Sequence, residues 1–206
     1  MRDETPEDTY YVSDDLFLFM RKQFWSAGCA IIGGTIWLIA PLVLNTYRLS
    51  WTIQYDYLVL ITPLFLVIGL VGYYREYTPA YSVGGRAGVW LLGVGVLSFI
   101  PIATHRTLIS YTLPTGVVLL VIAFFGAVLA QVGTIAIAID AWQTGIPSRW
   151  IAVWLPSALP VTAASNYIGA TTLGLYSVGM NYYTGIFGLA WIGLGYHLWR
   201  SNETGK

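Results

Sequence analysis

Five long stretches of this chain carry no Asp, Glu, Lys or Arg: residues 23–47, 57–74, 87–105, 107–139 and 150–199. A helix needs about 20 apolar residues to cross a hydrocarbon core about 30 Å thick, because it rises about 1.5 Å per residue. Each of the first four stretches is long enough for one crossing, and the fifth, 150–199, is long enough for two. The expected fold is therefore all-α: a polytopic membrane protein, a six-transmembrane-helix bundle with short loops. The spans are expected at about 24–45, 57–75, 86–104, 115–138, 150–170 and 179–199. Residues 1–22 then form an acidic tail and an interfacial turn, 23–200 a single transmembrane domain, and 201–206 a short tail.

Composition agrees with this reading. Hydrophobic residues make up 56% of the chain and charged residues 10%, against about 45–50% and 25% in ordinary soluble domains. Ten acidic and ten basic side chains are too few to cover the surface of a water-soluble fold of 206 residues. Zero net charge without a basic run leaves no electrostatic footprint for nucleic acid. The single cysteine, Cys29, falls inside the first span and has no partner for an intramolecular disulfide. No apolar stretch of a cleavable signal peptide precedes that span.

Basic residues orient the bundle. With the N-terminus in the cytoplasm, the inner segments hold Arg2, Arg21, Lys22, Arg75, Arg86, Arg149, Arg200 and Lys206, and the outer loops hold Arg48 and Arg106. This positive-inside bias predicts both termini in the cytoplasm of a cell-membrane protein. Trp and Tyr favour the headgroup level, which predicts one girdle of Trp25, Tyr73, Tyr74, Trp142, Trp150, Tyr196 and Trp199. The opposite girdle would hold Tyr47, Trp51, Tyr55, Tyr57, Tyr111, Tyr182 and Tyr183. Arginine outnumbers lysine eight to two and six carboxylates lie within residues 3–15, a halophile-like composition.

Groups able to do chemistry are scarce. Asp56, Glu76 and Asp140 fall at helix ends, where solvated interfacial roles are expected. His105 and His197 lie at opposite ends of their helices, roughly 20–30 Å apart across the bilayer, so no haem is held between them. No metal or other cofactor is expected, and GxSxG, HExxH and P-loop patterns are missing. The chain is predicted not to be an enzyme.

The polar residues that stand out lie on helices 4, 5 and 6. Pro156 and Pro160 each remove a backbone donor, so helix 5 is expected to break there. Ser157, Thr162, Ser165 and Asn166 surround the break, and the last three share one helix face. Gln131 and Thr134 of helix 4 and Trp191 of helix 6 are too deep to serve as belt residues. Two readings stay open for this set. One is a polar binding pocket for a small-molecule solute, which makes the protein a small permease or solute-binding bundle. The other is interhelical packing in a non-catalytic accessory or scaffolding subunit of a membrane complex. Pairs of small residues at 30/34, 84/88, 126/130 and 184/188 mark close helix approaches. They are compatible with a homodimer or a membrane-protein partner within the lipid bilayer.

Overall fold

The computed structural model describes residues 24–39, 53–101, 104, 113–173 and 179–204. Within the helices, the side chains of 53–60, 113–117, 120, 159, 162–163, 165–173, 179–184 and 202–204 fall outside that description. The acidic tail, residues 40–52, His105 and the outer girdle residues Tyr47, Trp51 and Tyr111 also lie outside it. So do the side chains of Tyr55, Tyr57, Tyr182 and Tyr183.

Among the described residues the fold is all-helical, with six α-helices. They are α1 (Phe24–Ile39), α2 (Ile53–Tyr77), α3 (Val83–Leu97), α4 (Leu113–Thr144), α5 (Arg149–Leu173) and α6 (Gly179–Thr204). A short 3-10 turn, Thr78–Ala80, joins α2 to α3. Two helical stretches, Val83–Pro101 and Val121–Thr144, are long and apolar enough to cross a membrane.

The ends of these helices have local causes. Ser82 caps α3, its hydroxyl accepting from the Gly85 amide, which satisfies a donor the first turn leaves free. Helix α4 runs six residues past the end expected at 138, because Asp140–Thr144 holds neither proline nor glycine to stop it. Gly145 then stops it at φ +72°, a conformation that glycine adopts without a Cβ penalty.

Glycines set how the helices pack. A Cβ on Gly34 of α1 would lie 2.6 Å from the Gly188 carbonyl of α6, and one on Gly188 would lie 2.5 Å from the Gly34 carbonyl. Between α3 and α4, a Cβ on Gly133 would meet the Gly88 carbonyl at 2.5 Å, and one on Gly95 the Gly126 carbonyl at 2.6 Å. Only hydrogen side chains allow such backbone approach, as in packed membrane helices. A Cβ on Gly69 of α2 would lie 2.7 Å from the Ala30 Cβ of α1. The expected pairs Ala30/Gly34 and Gly126/Ala130 thus lie on seams, whereas Gly84 of the 84/88 pair meets only Ser82 of its own turn.

The order of these contacts makes sequential helices antiparallel neighbours, with α6 returning to α1 and also touching α2. Trp37, Phe187 and Trp191 fill the core beside Leu66, Leu92 and Leu194. The Trp37 ring lies 5.5 Å from Phe187 and 6.1 Å from Phe99. Outward faces are apolar too, with Ile68, Val94, Phe124, Phe125 and Ile139 all exposed. Of the inner girdle, Trp25, Trp142, Trp150 and Tyr196 point outward, but Tyr73 is fully buried. It belongs to the core, for a reason given by its hydrogen bonds below.

Candidate functional site

A proline inside a helix removes the N–H that would reach the carbonyl four residues earlier. Pro160 therefore leaves the Pro156 carbonyl without its helical donor. The break expected in α5 does not occur, since the helix runs from Arg149 to Leu173 with both prolines inside it. The Gln131 side chain instead reaches across from α4, and its Nε2 donates to the Pro156 carbonyl at 2.8 Å. An amide from a neighbouring helix takes the place of the missing backbone donor, which is how prolines are tolerated within membrane helices.

The rest of the expected pocket divides in two. Thr134 is fully buried and donates to the Gln131 backbone carbonyl at 2.8 Å. Ser157 is half-buried and turns its hydroxyl onto the Trp154 carbonyl of its own helix, at 2.7 Å. Thr162, Ser165 and Asn166 lie on α5, but their side chains fall outside the described residues. Trp191 of α6 is fully buried, as its depth in the sequence implied.

Two buried atoms have no hydrogen-bond partner among the described residues: Gln131 Oε1 and Trp191 Nε1. One is an acceptor and the other a donor, and leaving each unsatisfied costs about 1–3 kcal/mol. Neither group titrates near neutral pH, so what each atom lacks is a neutral hydrogen-bonding partner.

A second polar cluster escaped the sequence reading, at the end of the bundle where α2, α3 and α4 meet. Asp140 is buried, only 5% exposed, and is not the solvated helix-end residue expected of it. The Ser82 backbone N–H donates to its Oδ2 at 2.9 Å, and the Ser82 hydroxyl lies 2.8 Å from the same oxygen. The carboxylate thus faces the N-terminus of α3, where helix dipoles favour negative charge. Gly85 lies directly against it, with no room for a side chain.

Beside this carboxylate, Tyr81 donates to the Ile146 carbonyl at 2.9 Å. Its single proton is thereby committed, so Tyr73 is the donor in the hydrogen bond joining the two tyrosine hydroxyls. That bond explains why Tyr73 leaves the expected girdle for the interior. Burial pushes the Tyr81 phenol up to about 12; the Tyr73 hydroxyl opposes this and the Asp140 charge adds to it. Arg86 Nε donates to the Thr78 carbonyl at 3.1 Å and steadies the same connection. The cluster clasps the α2–α3 connection to the end of α4 and to the loop that follows. Ser82 and Asp140 are 58 positions apart, and nothing local in the sequence pairs them.

No group of three or more His, Cys, Asp or Glu side chains among the described residues could hold a metal ion. No protein-family model, curated protein or solved structure matches the chain. Among the described residues the chain is an all-helical bundle in which two helices are long and apolar enough to cross a membrane.

Proposed function

We propose that this chain is a multi-pass protein of the cell membrane with six spans and both termini in the cytoplasm. We further propose that it works as a small permease or solute-binding bundle and not as an enzyme. Helices apolar on their outward as well as their inward faces support the membrane reading, since such surfaces aggregate in water. The observation that carries the solute reading is the pair of buried, unpartnered atoms on Gln131 and Trp191. A bound neutral solute would give such an atom the partner it lacks.

The topology is tested by cysteine labelling in a C29A background. Cysteines at Ser148 and Thr107 should react from the cytoplasmic and outer sides respectively, and the reverse pattern would overturn the orientation. The solute reading is tested by purifying the chain from its native membranes in mild detergent and identifying by mass spectrometry what accompanies it. A small molecule retained by the wild type and lost in Trp191→Phe is the expected result, because that change deletes the N–H while keeping an aromatic ring.

The second reading, an accessory or scaffolding subunit, draws on the hydroxyls of Thr134 and Ser157 and the amide nitrogen of Gln131, all bonded to backbone. A stoichiometric membrane-protein partner without any small molecule would favour it and refute the solute site.

A further inference from the structure

We propose that the groove between α2 and α3 is a seat for one anionic phospholipid of the inner leaflet, its acyl chain in the groove and its phosphate on Arg75. The proposal rests on the membrane topology argued above. The groove has a volume of about 340 Å³, and its walls are Val67, Leu70 and Val71 of α2 with Val94 and Leu97 of α3. Residues 67–75 and 89–97 extend for about 12 Å each at the helical rise, so the groove is an elongated channel along the helices. Its floor is Gly93, where a Cβ would meet Leu70 Cδ2 at 3.2 Å. The absent side chain is what leaves the channel open.

Polarity changes along this channel in the order found in a phospholipid. The outer part is aliphatic. Tyr74 and Trp90 follow, with rings 5.8 Å apart and edge-to-face, amphipathic side chains suited to headgroup depth. Arg75 stands at the inner end, exposed and without an ion pair among the described residues. A guanidinium pairs with a phosphate through parallel hydrogen bonds, and the inner leaflet is where anionic lipids and basic residues meet. Arg86 turns its guanidinium onto the Thr78 carbonyl and does not line the groove, so Arg75 is the cation that faces the headgroup.

The test is native mass spectrometry of the detergent-purified full chain, titrated with phosphatidylglycerol or phosphatidylcholine of identical acyl chains. Wild type should retain phosphatidylglycerol about fivefold better, the equivalent of ~1 kcal/mol for one cation near the surface. Arg75→Gln should abolish that preference, lowering phosphatidylglycerol retention more than phosphatidylcholine retention, since both lipids carry the phosphate but only phosphatidylglycerol carries net charge. Gly93→Leu, which fills the channel, should reduce retention of both lipids. Equal retention by the wild type, or a preference that survives Arg75→Gln, overturns the proposal. Unchanged retention in a folded Gly93→Leu variant, checked by circular dichroism, overturns it as well. Carbonate extraction of membranes separates the two levels of the argument. A chain that stays in the membrane pellet yet shows no headgroup preference refutes the lipid seat alone, and one released by carbonate refutes the membrane reading with it.

Discussion

If the Gln131 amide stands in for the donor that Pro160 lacks, then the effects of changing the two residues must be coupled. Gln131→Met keeps the size of the side chain but removes the Nε2 donor bonded to the Pro156 carbonyl at 2.8 Å. Taken alone its effect is a balance of two changes. The Pro156 carbonyl is left unsatisfied, at about 1–3 kcal/mol, but the buried and unpartnered Oε1 disappears, which returns a similar amount. Pro160→Ala restores a backbone N–H four residues after Pro156, so the carbonyl no longer depends on Gln131. Gln131→Met should therefore be better tolerated in the Pro160→Ala background by about 1–2 kcal/mol, the size of one hydrogen bond plus part of a desolvation cost. A double-mutant cycle isolates this coupling from the single-mutant balances. Equilibrium unfolding in mixed detergent and SDS micelles, followed by the fluorescence of the nine tryptophans, supplies the free energies. Additivity within about 0.3–0.5 kcal/mol, the value for independent sites, would refute the idea that Gln131 repairs α5.

Other outcomes follow from the packing and the clasp. Gly34→Ala should destabilise the bundle by about 1–3 kcal/mol, since its Cβ would lie 2.6 Å from the Gly188 carbonyl. Gly193→Ala has nothing within 4 Å to meet, and should instead stabilise α6 by up to about 1 kcal/mol through helix propensity; the same micelle unfolding assay compares them, and a reversed order would contradict the glycine seams. Tyr81 links stability to alkaline pH, because its phenol is raised from 10.0 to about 12 in the folded chain. Both states hold the proton below pH 10, and above it the unfolded chain loses the proton first, so stability falls as pH rises from 10 to 12. The loss attributable to Tyr81 is roughly 2 kcal/mol. Unfolding measured at pH 9 and pH 12 should show a smaller drop in Tyr81→Phe than in wild type, and equal drops would argue against a buried Tyr81 hydroxyl.

What the amino-acid sequence determined by itself is what depends on solvation over about 20 residues. Uncharged runs predict helices because a backbone placed away from water must satisfy its own hydrogen bonds, and the helix does so locally. The helical class and the approximate positions of the segments are readable in this way, whereas the end of α4 at Thr144 lies six residues beyond the one expected. The interior place of Trp191 and Gln131 was readable as well, from their distance to either helix end.

Only the tertiary structure decided which faces meet. Helices that are apolar all round carry little information about which side turns inward, since outward Phe124 and inward Leu92 are equally apolar. Contact between Gly34 and Gly188, or between Ser82 and Asp140, joins residues far apart in sequence. The same holds for Gln131, whose depth implied a partner in the bundle but not that the partner was a proline-orphaned carbonyl. Tyr73 shows the limit most clearly, because its ring suits a headgroup girdle and only its bond to Tyr81 draws it inside. Short-range patterning fixes helices through the solvation of their own backbone, whereas the pairing of polar groups depends on geometry that exists once the helices have packed.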